Sequence, residues 1–432
     1  MDPLAAEFNE TILAASPALH DMLSDLGRQL YFPKGILTQS AEAKVKATRF
    51  NATIGIATEK GQPMHFKCAA KYFNGLTPRE IFDYAPSYGL PALRERWLTK
   101  IRHDTPSLGS QPVSLPVVTH ALTHGLALLA DLFVNPGDLV LLPDKFWGNY
   151  KLIFSVRKKA EFVQFPFFDG RRMNLPGFRK ALQEAAARRS KIILLLNFPN
   201  NPTGYSISAA EAAELNRIIA AVATGGTRII VIADDAYYGL FYDEETLKES
   251  IFGGLAGLHE NVLAVKADGA TKEHFVWGFR VGFLTFGIKH GTPEMYEALV
   301  KKLGGAIRGN ISNCSMPGQS LVLKFLDDPE LPREQAEKFR ILAARALKVR
   351  EVLANPRYAD AWEPYPFNSG YFMCLRLKQA EAEKVRVHLL DKYQTGTIAT
   401  GKTDLRIAFS SLEIESIPEL FDIIYKAAKE VG

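Results

Sequence analysis

Short apolar runs alternate with longer stretches of helical periodicity through the middle of the chain. The apolar runs predict strands at Leu139–Leu142, Glu161–Phe165, Lys191–Leu196, Arg228–Ala233, Val262–Val265 and Val281–Phe286. The stretches between them predict helices near 122–134, 147–158, 174–189 and 208–223. The last of these opens on Ser208 and Glu211, which have the spacing of a capping box. Repeated strand–helix–strand units predict an α/β fold with a mainly parallel sheet flanked by helices.

The pattern changes beyond residue 326. Charged segments at Arg333–Leu353, Ala380–Lys392 and Ile417–Glu430 predict helices, and they bracket strand candidates at Tyr371–Leu377 and Leu405–Phe409. This part predicts a second, smaller α+β domain. The first seventy or so residues show no strong pattern. We therefore expect an N-terminal arm and part of the small domain over 1–70, a large domain over 71–325 and a small C-terminal domain over 326–432.

The composition is that of a globular protein with a large core, since 47% of the 432 residues are hydrophobic and 23% are charged. The net charge of +5 is spread along the chain without a long basic run, so we expect no nucleic-acid partner. Three cysteines without metal-ligand spacing argue against disulfides and a metal site, and favour a reducing cytoplasm. The N-terminal residues lack a signal-peptide pattern and no apolar run has the length of a membrane span, so we expect no membrane association.

Polar and reactive side chains follow three of the predicted strands. An Asn-Pro-Thr-Gly turn lies in Asn197–Gly204, Asp234 and Tyr237 follow the next strand, and Lys272 follows the third. Ligands bind at the carboxyl ends of strands in open parallel sheets, so these groups predict one site. Each also has a plainer explanation: an ordinary turn, an acid that caps a turn, or a solvated lysine. All three plain explanations would have to hold together, which favours the functional interpretation.

Lys272 and Arg280 indicate the chemistry of this site. A lysine in a turn after a strand, followed eight residues later by an arginine, suits a phosphorylated aldehyde. The amine forms an imine with the aldehyde, and the guanidinium binds the phosphate through a planar fork of donors.

The order and spacing of these motifs, from about Phe50 to Ser411, resemble the class I aminotransferases, which are fold-type I pyridoxal-phosphate enzymes. The resemblance implies pyridoxal 5'-phosphate as the cofactor, bound in the large domain, and Lys272 as the residue that links to it and shuttles a proton. Asp234 would pair with the pyridinium nitrogen. Its neighbour Asp235 is the rival for this role, and the resemblance assigns the family's Asp-x-x-Tyr pattern to Asp234 and Tyr237.

The resemblance assigns other residues to the cofactor. Tyr237 and Asn201 would donate to its phenolic oxygen, and Arg280 would bind its phosphate. The segment Thr119–Gly125 precedes an apolar helix whose N-terminus would hold the phosphate. Further positions implied in cofactor binding are Ala121, Leu122, Thr123, Thr271 and Trp147, the last as a ring that stacks on the pyridine. The alternative for Trp147 is that it is a core residue, as a tryptophan at the start of a helix usually is.

The resemblance also implies substrate-binding residues. Arg406 matches the arginine that binds the substrate carboxylate through two parallel hydrogen bonds, which fix the orientation of the Cα–H bond. Asn201 and Gly55 would complete that subsite. A structural salt bridge is the alternative explanation for Arg406.

Two segments resemble parts that cross a dimer interface. Tyr84 matches a tyrosine that contacts the neighbouring subunit's phosphate, and Arg308 matches an arginine that meets the distal carboxylate of the substrate. The alternative for Arg308 is that it hydrogen-bonds the last carbonyls of a helix over Pro293–Ile307. The expected partner is therefore a second copy of this chain, with shared active sites.

The chain departs from the family pattern at several positions. Gly269 stands where many relatives carry a phosphate-binding serine, and Ala121 and Leu122 replace smaller or hydroxylated residues. Phe275 is bulkier than usual, and Tyr150 stands where aspartate-specific members often have histidine. These departures concern phosphate affinity and substrate identity.

The function implied is a ping-pong aminotransferase that moves the amino group of aspartate or an aromatic amino acid to a 2-oxo acid such as 2-oxoglutarate. Two other classes stay open: a fold-type I lyase or synthase that uses the same cofactor, and a non-catalytic pyridoxal-phosphate-binding protein. An NAD-binding α/β enzyme is disfavoured, because no Gly-x-Gly-x-x-Gly follows a strand.

Overall fold

The computed structural model describes residues 1–33 and 35–432. Within them, a seven-stranded sheet forms the centre of the molecule. Its strands, in spatial order, are Val117–His120, Val281–Ile288, Val262–Gly269, Arg228–Asp234, Lys191–Asn197, Leu139–Pro143 and Glu161–Phe165. Neighbouring strands are parallel, except that Val281–Ile288 is antiparallel to both of its neighbours. The predicted α/β fold with a mainly parallel sheet is confirmed.

Helices cover both faces of this sheet, because successive strand residues point to opposite sides. Ile193 and Leu195 pack in one core with Leu126 of the helix Ala121–Phe133. Ile192 and Leu194 pack in another core on the opposite face. The longer helices around the sheet are Pro91–Asp104, Ala121–Phe133, Leu175–Arg188, Ala209–Thr224, Pro293–Asn310 and Met316–Leu326. Shorter helices are Lys67–Ala70, Pro78–Phe82, Phe252–Leu255 and Ala270–Glu273.

A second sheet of four strands carries its own core. The strands, in spatial order, are Trp362–Pro364, Phe372–Leu377, Asp404–Ala408 and Ile398–Ala399. They pack with the helices Leu331–Leu353, Ala382–Tyr393 and Ile417–Val431. This confirms the predicted smaller α+β part, while the domain boundaries at residues 70 and 325 stay a prediction.

The N-terminal region contains helices although its sequence showed no strong pattern. They are Pro3–Ala15, Pro17–Met22, Asp25–Gln29 and Ile36–Lys46. The following strand Phe50–Asn51 pairs in parallel with Thr395–Gly396. Gln39 exchanges hydrogen bonds with the backbone of Ala399 at 3.2 and 2.9 Å. The N-terminal region therefore contacts the edge of the part that carries the four-stranded sheet.

The predicted helix near 147–158 is present, but it is shorter than predicted and mostly of another type. Residues 149–150 are helical and a π-helix spans Lys151–Val156. The amides of Tyr150 and Lys151 bond to carbonyls three residues earlier, so a tight turn occupies the start of the predicted segment. None of the helices within residues 1–33 and 35–432 is long and apolar enough to cross a membrane.

Candidate active site

A cavity of about 260 Å³ lies at the carboxyl ends of the parallel strands. Strand register explains why the predicted groups meet there, since Asp234 lies beside Asn197 on one side and beside Ala267 on the other. The lining residues that the sequence predicted are Gly55, Ala121, Leu122, Thr123, Trp147, Asn201, Asp234, Tyr237, Thr271, Lys272 and Arg280. The structure therefore brings residues from widely separated segments together around one space.

Lys272 lies on the one-turn helix Ala270–Glu273, which follows the strand Val262–Gly269 directly. It is half-buried and faces the cavity, with its Nζ 4.9 Å from the centre of the Tyr237 ring. Burial lowers the pKa of Lys272 to about 8; Asp234 opposes the shift and Arg280 adds to it. About a tenth of the amine is therefore uncharged at pH 7, far more than for an ordinary lysine, as a nucleophile or base requires.

Asp234 is a buried acid held by three donors. The Tyr150 hydroxyl donates to its Oδ2 at 2.7 Å, and the Ala236 amide donates to its Oδ1 at 3.1 Å. The Asn197 side chain donates to the Asp234 carbonyl at 2.8 Å. Burial raises the pKa of Asp234, and the hydrogen bond from Tyr150 opposes that shift. Asp234 and Asp235 have different environments. Asp234 lines the cavity, whereas Asp235 makes an ion pair with Lys266 and does not line it.

One end of the cavity is suited to an anion. The helix Ala121–Phe133 begins there and its first amides have no carbonyl partner within the helix, which favours negative charge. Arg280 lines the same cavity, and its Nη1 donates to the Trp277 carbonyl at 3.2 Å. The Thr271 hydroxyl and the Trp277 indole nitrogen are buried without a hydrogen-bond partner among the described residues. Buried donors in this state require a ligand or water.

The backbone at this end is tightly packed. Ala121 has a φ of 60°, in the left-handed region that alanine seldom adopts. A Cβ on Gly282 would lie 2.9 Å from the Ala121 Cα, and a Cβ on Gly269 would lie 2.7 Å from the Val281 carbonyl oxygen. A serine at position 269 would therefore require the backbone to shift. The unpartnered Thr271 hydroxyl lines the cavity two residues away.

These residues fit pyridoxal phosphate. The anion-binding end suits a phosphate, Asp234 suits a protonated ring nitrogen and Lys272 suits an aldehyde. Trp147 is half-buried at the cavity wall and packs edge-on against Tyr150, with ring centroids 5.5 Å apart.

Arg406 lies next to the cavity rather than in its wall. Its side chain is almost fully buried, at 1% exposure. Its Nη1 donates to the Asn201 side chain at 3.1 Å and its Nη2 donates to the Thr53 carbonyl at 2.9 Å. Its Nε has no partner, and none of the ion pairs in the described part of the chain includes this guanidinium. Among the described residues Arg406 therefore makes no salt bridge, and its role in binding the substrate carboxylate stays a prediction.

Tyr84 and Arg308 lie outside this cavity. Tyr84 is 91% exposed, and Arg308, on the last turn of the helix Pro293–Asn310, is also exposed. Arg308 donates to the Ser312 hydroxyl at 2.6 Å. Their predicted role across a dimer interface stays a prediction.

Sequence reasoning did not assign Asn197, Ala236 and Trp277 to the site and named Tyr150 only as a departure from the family pattern, although all four line the cavity. Tyr150 follows Trp147 by three residues, a spacing that places two side chains on one helical face. Asn197 ends a strand beside the strand of Asp234, so its position was a usable signal. No local pattern marks Trp277.

Comparisons with known proteins identify the family of this chain. The aspartate aminotransferase of Geobacillus stearothermophilus is 26% identical over 282 residues, which are 60% of this chain and 63% of that protein. A protein of Mycobacterium tuberculosis named as a probable N-succinyldiaminopimelate aminotransferase is 28% identical over 250 residues, 57% of this chain and 58% of that protein. The chain thus spans about three fifths of the length of the curated relatives it matches.

A solved aminotransferase of Anaerococcus prevotii superposes with a TM-score of 0.83 at 22% identity, covering 95% of this chain and 99% of that one, which shows a shared fold. The family described as aminotransferase class I and II matches residues 54–424. That match includes the cavity, Lys272 and Arg406. The chain belongs to the class I and II aminotransferase family, whose members imply pyridoxal phosphate as the cofactor.

Proposed function

We propose that this chain is a pyridoxal-phosphate-dependent aminotransferase that moves the amino group of an L-amino acid to a 2-oxo acid in a ping-pong reaction. The observation that carries the proposal is a pair of groups associated with the cavity that Asn201 lines. One is the amine of Lys272, with its lowered pKa, and the other is the buried guanidinium of Arg406, which has no carboxylate partner. A base in the cavity wall and an unpaired cation that hydrogen-bonds the wall residue Asn201 suit an amino acid.

The cofactor would be held by residues already in place. Arg280, Thr271 and the N-terminus of Ala121–Phe133 would bind the phosphate, and Asp234 would bind the ring nitrogen. When bound, pyridoxal phosphate supplies an electron sink that makes the Cα proton of an amino acid acidic. Tyr150 holds the Asp234 carboxylate in place through its 2.7 Å hydrogen bond.

Lys272 would act as the base. Its Nζ takes the proton from the substrate Cα and returns it at the position required for transfer of the amino group. A pKa of about 8 suits both steps near neutral pH, because such an amine accepts and releases a proton readily. Arg406 would bind the α-carboxylate with two parallel hydrogen bonds and so direct the Cα proton toward Lys272.

The substrate we propose is aspartate or an aromatic amino acid, with 2-oxoglutarate as an acceptor. The name of the Geobacillus relative supports aspartate. The resemblance of Arg308, Ser312 and Asn313 to a segment found in enzymes for aspartate and aromatic amino acids supports the same class. Arg308 is exposed and remote from its own cavity, so this proposal requires a homodimer in which it reaches the partner's site.

We also propose a cytoplasmic location. All three cysteines are buried and free of disulfides, which suits a reducing compartment.

An absorbance experiment tests the proposed reaction. The purified protein is loaded with pyridoxal phosphate, and its spectrum is recorded before and after addition of glutamate, aspartate, tyrosine or phenylalanine. We expect the right amino acid to bleach the absorbance band of the lysine-linked cofactor, and 2-oxoglutarate to restore it. The Lys272→Ala variant should give no such band.

Three outcomes would contradict the proposal. A wild-type protein whose spectrum matches that of Lys272→Ala would exclude Lys272 as the attachment point. A band that is consumed while product accumulates without any 2-oxo acid acceptor would indicate a lyase or synthase. A band that responds to none of the amino acids would favour a non-catalytic binding protein.

A further inference from the structure

Six charged residues form a buried cluster behind the cavity. The cluster consists of Lys100, Asp104, Asp235, Lys266, Asp268 and Glu273. Its side chains are between 2% and 22% exposed. Charges this far from water are costly unless they are paired, so their arrangement requires a structural or functional explanation.

One half of the cluster surrounds Lys266. Its ammonium pairs with Asp235 and lies 3.4 Å from the Asp268 carboxylate. The Ser250 hydroxyl donates to Asp235 at 2.6 Å. The Trp97 indole donates to both oxygens of Asp268, at 3.2 and 3.1 Å. This half ties the end of the strand Arg228–Asp234 to its neighbour.

The other half surrounds Lys100, on the helix Pro91–Asp104. Its ammonium lies 2.6 Å from the Glu273 carboxylate and also pairs with Asp104. The Tyr238 ring joins the halves, because the Nζ atoms of Lys100 and Lys266 lie 5.3 and 4.8 Å from its centre. The Tyr238 hydroxyl donates to the Asp104 carbonyl at 2.8 Å.

Each half is joined by one peptide bond to a residue of the proposed reaction. Asp235 directly follows Asp234, and Glu273 directly follows Lys272. In both pairs the first side chain lines the cavity and the second enters the cluster. The cluster therefore holds the backbone of both functional residues from the side opposite the cavity.

The Lys272 helix depends on such contacts. A helix of four residues has too few internal hydrogen bonds to hold its own position. Outside the adjoining turn, it is held by the Tyr371 hydroxyl, which donates to the Lys272 carbonyl at 2.9 Å, and by the ion pair of Glu273 with Lys100. The ion pair anchors this helix to another one far along the chain.

The charges around Glu273 do not balance. Four carboxylates share two ammonium groups, and His274, next to Glu273, does not add a charge because burial lowers its pKa well below its ordinary value. Burial raises the pKa of Glu273 to about 7 against the opposing attraction of Lys100. Removing Lys100 would leave Glu273 buried without a cation, so Glu273 would become protonated and the anchor would be lost, whereas Asp104 keeps its contact with His103 at 2.8 Å.

We propose that Lys100 and Glu273 are positioning residues for Lys272: their ion pair fixes the helix Ala270–Glu273 so that the Lys272 amine faces the cavity. This inference depends on the proposed function only for the effect on turnover. The structural effect on residues 270–276 does not depend on it.

Hydrogen exchange on the apoprotein and on the cofactor-loaded protein tests the proposal. Lys100→Met should increase amide exchange in residues 270–276 on the order of tenfold or more, with little change in the central strands. Lys338→Met is a matched control, because Lys338 makes a 2.7 Å ion pair with Glu59 and its side chain is 11% exposed, against 14% for Lys100. That control should leave exchange in 270–276 unchanged.

Turnover and a double variant give independent readouts. For Lys100→Met, kcat should fall by roughly a hundredfold while KM changes little, because misplacement of a reacting group by about 1 Å has an effect of that size. Glu273→Gln should act in the same direction. The double variant Lys100→Met/Glu273→Gln should be no worse than Lys100→Met alone, because the unpaired Glu273 is already neutral.

Three results would overturn the proposal. One is unchanged exchange in 270–276 for Lys100→Met. Another is faster exchange throughout the protein, as a general loss of stability would give. The third is an additive double variant. If Lys100→Met does not fold, Glu273→Gln decides by the same exchange criterion, since it leaves the pair of Lys100 and Asp104 intact. A protein without aminotransferase activity would still give a decisive exchange result.

Discussion

Replacement of Arg406 by methionine should separate stability from substrate binding. The guanidinium is 1% exposed and has two neutral acceptors but no carboxylate. Its removal loses two hydrogen bonds from a charged donor, worth about 1.5–3 kcal/mol each. It also removes a desolvation cost of several kcal/mol for a buried ion. These terms nearly cancel, so we expect the free energy of unfolding of the apoprotein to change by less than about 2 kcal/mol.

The effect on binding should be much larger. Loss of two charge-assisted hydrogen bonds to the substrate carboxylate corresponds to roughly 3–6 kcal/mol, or about 10²- to 10⁴-fold in the amino acid concentration required. The assay is the amino-acid-induced change in the cofactor spectrum, measured over a range of amino acid concentrations. Thermal unfolding of the same preparation without cofactor gives the stability.

Arg345→Met is the matched control. Arg345 is equally buried, but it pairs with Glu413 at 3.0 Å and donates to the carbonyls of Thr58 and Ser410, both at 2.7 Å. Its removal should lower the unfolding midpoint more than Arg406→Met does and leave substrate affinity nearly unchanged. If Arg406→Met unfolds as readily as Arg345→Met and binds amino acids normally, then Arg406 has a structural role and the reasoning is refuted.

Three further predictions concern the cofactor end of the cavity. Lys272→Met should stabilise the apoprotein below pH 8 by up to about 3 kcal/mol, because burial lowers the native pKa of Lys272 from the ordinary 10.5 to about 8. In thermal unfolding, this gain in stability over wild type should shrink as the pH rises from 8 to 10.5. A gain that does not change with pH would contradict burial of the charged amine as its cause. Tyr150→Phe removes the donor to Asp234 and should weaken cofactor binding by roughly tenfold or more in a fluorescence titration, whereas unchanged affinity would show that the hydrogen bond does not matter. Gly269→Ala places a Cβ against the Val281 carbonyl and should destabilise the protein by about 1–3 kcal/mol, an expectation that an unchanged unfolding midpoint would disprove.

The sequence predicted the strands and the convergence of Asn201, Asp234 and Lys272 because both depend on local patterns. Buried parallel strands are continuous apolar runs, and their carboxyl ends meet at one edge of the sheet. The apolar run at Val117–His120 is too short to predict a strand from the sequence alone. It pairs with Val281–Ile288, far along the chain, and that partner explains its existence.

The contacts that tune the site could not be predicted because they are non-local. Tyr150 reaches Asp234 across 84 positions of the chain, and Lys100 reaches Glu273 across 173. Such contacts depend on how helices pack against the sheet, which no pattern of spacing records. The N-terminal helices escaped prediction for a related reason: Gln39 makes its reciprocal hydrogen bonds with Ala399, at the opposite end of the chain.

The side chains of the segment from Asp234 to Tyr238 are divided between the cavity and the charged cluster. Asp234 and Tyr237 face the cavity, whereas Asp235 and Tyr238 enter the charged cluster. Insertion or deletion of one residue in the strand before Asp234 would shift these side chains by one position, placing an acid of the cluster in the cavity and the cavity acid beside Lys266. Length variation during evolution is therefore expected in the surface loops of this protein but not in this segment, where point substitution is the only available route of change.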